Sequence, residues 1–367
     1  MRIVMHVDMD AFFAACEERY NPQFRGKPIV VGADPRGGAG RGVVATASYA
    51  ARKYGIKSAM PISQAWRLAE EARKRGEPET IFLGGNHRLY AEVSKRIMVI
   101  LAREADAFEE ASIDEAYLEL KAERLKPKAE SDDLWAAAEE VARGLKQTIL
   151  EQEGLTCSVG IGPNKLVAKI ASDFKKPDGL TVVRPDAVES FLALLPSRAL
   201  PGIGPKSEVF LHQKGIRTIG DIQNAEPDKL AGWFGKWGAD IARHAHGISE
   251  SKVSNEWEPK SVGEQETFAE DSSSAAFILE RMESLVSTVL RRLLKNGFRA
   301  FRTVVVTVRF ADFVTTSRSH TGRRPLTTKE ALHGEALRLL LPFLDQRENP
   351  KQKKIRLIGV RVEKLSR

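Results

Sequence analysis

The sequence holds only two cysteines among 367 residues, Cys16 and Cys157. Two thiols cannot build a disulfide framework or a cysteine-rich zinc site, and they suit a reducing compartment. No run approaches the ~20 apolar residues that a membrane-spanning helix needs. The N-terminal apolar stretch is broken by His6 and Asp8 before a signal-peptide core can form, so no membrane partner and a cytoplasmic location are expected. Repeats of fixed period and low-complexity tracts are absent. The Gly37 to Gly42 stretch lacks a following Lys-Ser or Lys-Thr, which excludes a P-loop and leaves a mobile loop as the reading.

Hydrophobic residues make up 42% and charged residues 29%, a balance that excludes a wholly disordered chain. A length of 367 residues exceeds one ordinary core, so several domains are expected. Of the formal net charge of +8, residues 254–367 carry +7, from 21 Lys and Arg against 14 Asp and Glu. Such a localised excess fits either a polyanion partner, through counterion release, or a basic surface kept for solubility.

Residues 2–8 predict a short buried strand, and Asp10 predicts the N-cap of a helix over 11–20. Two β-rich runs, 29–31 and 42–46, precede helices over 48–53 and 62–74. Helical spacing recurs over 88–103, a hairpin is expected over 109–120 about Ser112 to Asp114, and an amphipathic helix follows over 134–152. A strand over 156–161 and a helix over 164–174 lead into a segment of short helices ending near Gly247. Beyond the polar linker 249–260 the order is strand, helix 272–296, strands 302–310 and 313–319, helix 328–343 and strand 354–364, a βαββαβ unit with both helices on one face. The fold class is therefore α+β and multi-domain.

The first strand ends in Asp8, Met9 and Asp10, and Asp114-Glu115 sits at the hairpin turn. Spacing alone puts Asp8 and Asp10 on one strand face, whereas Asp10 before an apolar helical run reads as a cap. Asp114-Glu115 is either a solvated turn or part of a cation site. Two carboxylates ~4 Å apart repel by ~4 kcal/mol at an effective dielectric near 20, so three converging acids need a compensating cation or a raised pKa. Magnesium suits an oxygen-rich site that leaves positions for phosphates and water, which favours phosphoryl transfer.

Residues 7–14 (Val-Asp-Met-Asp-Ala-Phe-Phe-Ala), 44–53 (Val-Ala-Thr-Ala-Ser-Tyr-Ala-Ala-Arg-Lys) and 112–117 (Ser-Ile-Asp-Glu-Ala-Tyr) resemble the Y-family translesion DNA polymerases, in the polymerase IV branch. The resemblance extends through Val159-Gly160-Ile161, residues 164–173, Lys176-Pro177-Asp178-Gly179 and residues 310–316. It implies a right hand of palm (1–10 and 77–168), fingers (11–76) and thumb (169–247), then a linker (248–260) and a βαββαβ little finger (261–367). By similarity, Asp8 and Asp114 bridge two Mg²⁺ ions, Glu115 completes the ion that activates the primer 3′-hydroxyl, and the Met9 carbonyl joins the nucleotide-bound ion.

The same resemblance assigns Tyr49, Arg52 and Lys176 to the nucleotide triphosphate, with Thr46 on the same segment. Phe13, beside Phe12, matches the steric gate against ribose; without the family either ring is an ordinary core phenylalanine. Val43, Ala45 and Ala59 match a roof of small residues over the nascent base pair. Residues 200–206 (Leu-Pro-Gly-Ile-Gly-Pro-Lys) read as a turn or as a helix-hairpin-helix whose Gly202, Gly204 and Lys206 meet a DNA phosphate. Arg299, Arg302, Arg318 and Arg356 are expected to contact DNA from the little finger.

The implied activity is template-directed, low-fidelity DNA synthesis in lesion bypass and repair. The implied partners are primer-template DNA and deoxynucleoside triphosphates, for a monomer near the nucleoid. Many relatives continue into a tail that docks on a sliding clamp, whereas this sequence ends at Arg367, so either the chain is truncated or clamp docking uses another surface. The competing classes are a two-metal nuclease or cyclase, neither of which needs a ring beneath the sugar, and a non-catalytic DNA-binding module.

Overall fold

The computed structural model describes residues 2–125, 133–345 and 347–367. The chain divides into two compact units, Met1–Glu256 and Trp257–Arg367. The first is organised on a sheet of β1 (Ile3–Met9), β5 (Ala107–Glu110), β6 (Glu115–Leu120), β7 (Cys157–Gly162) and β8 (Leu180–Val182). Their order is β5-β6-β1-β7-β8, with β1 antiparallel to both neighbours and β8 parallel to β7.

Every residue of β1 is buried, because both faces of the sheet are covered. Ile3, Met5, Val7 and Met9 pack with α4 (His87–Arg103) and α6 (Leu134–Glu153). The alternate residues face α7 (Lys165–Phe174): Val4 meets Ala168, and His6 Nδ1 lies 2.7 Å from Ser172 Oγ. Asp8, two residues on, shares that second face. The free thiols Cys16 and Cys157 are closed into the core on the α4 side.

A second sheet, β3-β2-β4, comprises β2 (Ile29–Gly32), β3 (Val44–Ala47) and β4 (Ile81–Leu83). Its core joins Val30 and Val44 to Ala51 of α2 (Tyr49–Arg52) and to Ile62, Ala65 and Ala69 of α3 (Ile62–Lys74). Ser48 Oγ accepts hydrogen bonds from the amides of Ala51 and Ile29, which caps α2 and fixes it to β2. The short helices α8 (Val188–Ala193), α9 (Pro205–Gln213), α10 (Ile219–Gln223), α11 (Pro227–Phe234) and α12 (Lys236–Ala245) form a separate core with Leu166, Val167 and Ile170 of α7.

The helix expected over 11–20 is α1 (Phe12–Tyr20), but Asp10 does not cap it. Ala11 occupies the N-cap position at φ 45° with no side-chain cap, and the Asp10 carboxylate turns into the protein. The Gly37 to Gly42 stretch is held in a turn, with the Gly38 and Gly40 amides donating to the Pro35 carbonyl.

The second unit is an antiparallel sheet in the order β11-β10-β12-β9, from β9 (Ser261–Ser272), β10 (Phe301–Phe310), β11 (Thr315–Leu326) and β12 (Ile355–Glu363). Helices α13 (Ala275–Lys295) and α14 (Lys329–Leu344) cover the face bearing Val304, Val306, Val308, Ile358, Val360 and Val362, which makes the expected βαββαβ fold. Strand β11 runs on to Leu326, beyond the expected end at 319. Its Ser-, Thr- and Arg-rich edge carries little apolar alternation to reveal its length.

Candidate active site

Asp8 and Glu115 are direct cross-strand partners in the β1–β6 register, so their side chains share the α7 face. The Met9 amide donates to the Asp114 carbonyl at 2.9 Å, which pins the hairpin turn against the end of β1. Ser112 Oγ accepts from the amides of Asp114 and Glu115 and donates to Asp114 Oδ1 at 2.5 Å. The three acids, a hundred residues apart in the chain, thus belong to one strand-end constellation.

Lysines compensate these acids. Lys176 Nζ bridges Asp8 Oδ2 and Asp173 Oδ1, each at 2.7 Å, and Lys169 Nζ lies 2.8 Å from Glu115 Oε2. Burial pushes the Asp8 carboxyl up to about 7 against the opposing pull of Lys176. His6, whose Nε2 is 3.6 Å away, and Lys169 at the shorter distance hold the Glu115 carboxyl well below the usual range. The His6 imidazole itself is pulled down by burial.

Among the described residues no three His, Cys, Asp or Glu side chains converge as a finished ligand set; Asp8 and Glu115 face each other, whereas the Asp114 carboxylate takes the Ser112 hydroxyl. The donor chemistry nevertheless suits a hard divalent ion: three carboxylates and the Met9 carbonyl supply only oxygen. The compensating side chains of Lys169 and Lys176 are 30% and 22% exposed and carry their charge on flexible stems.

Beside the acids, the Arg52 guanidinium lies 4.5 Å over the Tyr49 ring, and Arg52 Nε donates to the Ala47 carbonyl. Tyr49, half-buried, donates its hydroxyl to Asp10 Oδ1 at 3.4 Å; burial and that carboxylate push the phenol up to about 12. Thr46 is half-buried on β3. Val43, Ala45 and Ala59 are all exposed, and the Ala59 amide donates to the Val44 carbonyl, so the three small side chains border one strand. Phe13 stacks on Tyr90, whereas the Phe12 ring is 2% exposed in the core.

Further along the chain, Gly202 has φ +99° and a Cβ there would stand 2.6 Å from the Trp237 indole, which requires glycine. Gly204 precedes α9 with open space before it, and Lys206 is exposed. Arg299 and Arg302 are exposed. The other two arginines have internal partners: Arg318 binds Glu348, and Arg356 is stacked on Phe313 and 3.6 Å from Asp271. Arg318 pairs with Val306 in the β10–β11 register and so lies on the helix-covered side.

Sequence reasoning missed Lys169, Asp173 and His6. A signal existed: Lys165, Lys169 and Asp173 form an i, i+4, i+8 stripe on α7, and they meet Glu109, Glu115 and Lys176 in turn.

Residues 7–173 match the impB/mucB/samB family, and residues 259–367 match that family's C-terminal domain. The sequence is 43% identical to DNA polymerase IV of Methanoculleus marisnigri over 99% of this chain and 94% of that one. Among solved structures, the Y-family DNA polymerase chimera Dbh-Dpo4(243-245)-Dbh matches with a TM-score of 0.83 and 32% identity over 99% of both chains. An insertion ternary complex of Dbh DNA polymerase matches with a TM-score of 0.65 and 30% identity, again over 99% of both.

Proposed function

The chain belongs to the impB/mucB/samB family and is a Y-family, DNA-directed DNA polymerase of the translesion class, and on that premise we propose that Asp8, Asp114 and Glu115 are its catalytic acids. Family membership carries a divalent metal requirement. The observation that supports the assignment is the Asp8–Glu115 cross-strand pair, tied to Asp114 through the Met9 amide and flanked by Lys176 and Tyr49.

Asp8, Asp114, Glu115 and the Met9 carbonyl would hold the Mg²⁺ ions, whose chemistry there would be to acidify the primer 3′-hydroxyl and to neutralise charge on the departing pyrophosphate. Lys169 and Lys176 give up their carboxylate partners as the acids take up this role. Lys176 then reaches a polyphosphate oxygen as a point charge, while Arg52 offers forked donors and Tyr49 a hydroxyl. Phe13 lies beneath the sugar, where its ring opposes a ribose 2′-hydroxyl, and Val43, Ala45 and Ala59 leave room above the base pair for damaged templates.

In this reading residues 1–10 and 77–168 are palm, 11–76 fingers and 169–247 thumb. The thumb turn at Gly202, Gly204 and Lys206 meets a DNA phosphate. Residues 261–367 are the DNA-binding little finger, and the partners are primer-template DNA and deoxynucleoside triphosphates in the cytoplasm.

Primer extension tests the acids. Asp114→Ala and Glu115→Ala each lose several kcal/mol of barrier lowering, roughly a thousandfold in rate, with the far-ultraviolet circular dichroism of the native protein. Extension at the native rate in either variant removes the assignment.

A further inference from the structure

The Asp10 carboxylate has a place in the fold that neither helix capping nor metal binding explains. It is 5% exposed and one residue beyond β1. Its Oδ1 accepts from Ser158 Oγ at 2.8 Å and from the Tyr49 hydroxyl at 3.4 Å, and its Oδ2 accepts from the Asp178 amide at 2.8 Å. The Ser158 hydroxyl in turn accepts from the Gly179 amide at 3.2 Å. Asp10 therefore holds the turn after Lys176 at two successive amides, one directly and one through Ser158. The same Oδ1 that takes the Ser158 hydroxyl also accepts from Tyr49, which arrives on α2 beside a different sheet. Both oxygens are thus occupied by donors.

We propose that Asp10 is a positioning residue that fixes the turn following Lys176 against α2, and thereby the reach of the Lys176 ammonium toward the polyphosphate of the incoming nucleotide. This rests on the reading of Tyr49 and Lys176 as nucleotide-binding groups. The two come from segments more than a hundred residues apart and share this one buried anchor. A carboxylate suits the task because it is acceptor-only and can serve three donors at once. An amide in its place turns an N–H₂ group toward one of those donors, leaving a buried pair unmatched. Because the groups it places bind the polyphosphate in ground and transition states alike, the loss falls on KM and not on kcat.

The test compares Asp10→Asn and Ser158→Ala with Tyr49→Phe and Lys176→Ala in steady-state single-nucleotide insertion, together with amide hydrogen exchange of the 176–180 segment in the free protein. Asp10→Asn is expected to raise the nucleotide KM about tenfold, as the loss of one buried hydrogen bond does, with kcat within about threefold. Ser158→Ala shifts KM in the same direction by less, and in both variants the Asp178 and Gly179 amides exchange faster with no metal or nucleotide present. Ser158→Ala carries the test if Asp10→Asn does not fold. If Tyr49→Phe and Lys176→Ala raise KM while the Asp10 and Ser158 variants keep the native value, the inference alone is overturned. If none of the four raises KM, the nucleotide-site reading falls and takes the inference with it.

Discussion

Phe13 lies face to face on Tyr90, with ring centroids 4.4 Å apart and planes 13° from parallel. Tyr90 is itself immobile: it is fully buried, and its hydroxyl donates to the buried Glu17 carboxylate at 2.5 Å. The His87 ring closes a second side of Phe13 edge-on at 5.9 Å. Stacking on one ring and an edge contact with the other favour this one orientation of Phe13.

Phe13→Ala is accordingly expected to lower the preference for deoxynucleotides over ribonucleotides by about tenfold or more, since a shape-only filter is worth ~1–3 kcal/mol. Single-nucleotide insertion with the matched dNTP and rNTP measures it. A ratio equal to the native one removes Phe13 from sugar selection.

The basic unit offers a comparison between free and compensated arginines. Exposed Arg299 and Arg302 should each reduce the slope of log affinity against log salt for duplex DNA by about one when changed to alanine. Arg318, already neutralised by Glu348 on the helix-covered side, should change it far less. Equal effects from all three would contradict this separation.

Asp8 at a strand end was legible from the apolar run before it, whereas Asp114-Glu115 read from its residues alone as either a solvated turn or a cation site, and the family resemblance was what favoured the second. The βαββαβ order was legible because its helices are long and strongly periodic. Asp10 was misleading: an Asp before an apolar helical run satisfies the local rule for a cap, yet its Ser158 partner lies 148 residues away and no local rule can weigh it. Strand β4 escaped because Ile81 to Leu83 is too short to show a period, and it forms only by lying parallel to β2. The role of Lys169 was hidden for a related reason, since its partner Glu115 is set by strand register and not by neighbours in sequence.

Acid should loosen the short-helix region through Asp221. Its carboxylate accepts from the amides of Thr218 and Arg217, each at 2.8 Å, and these bonds hold its pKa below 3.8. A depressed carboxyl contributes stability above its unfolded value and loses it as pH falls through the folded value. Asp221→Asn should thus cost about 1 kcal/mol at neutral pH and nothing once the pH has fallen through the lowered folded value and the native carboxyl is protonated. Local hydrogen exchange of α10 at two pH values checks the sign; an undiminished difference in acid would refute it.

Phe301 is fully buried in the core of the C-terminal unit. Phe301→Ala should cost ~3–5 kcal/mol through lost burial and the cavity left behind. Hydrogen exchange in α13 and β10 of the full chain reads that loss, and native protection there would mean the core closes over the gap.

Cys16 and Cys157 are 0% and 1% exposed, and burial pushes both thiols up to about 12. At neutral pH almost no thiolate forms, and alkylating reagents have no path to the sulfur. A cysteine placed on an exposed helix would consequently be the sole site a maleimide dye can label, so fluorescent reporters can be installed one at a time with both native thiols left in place.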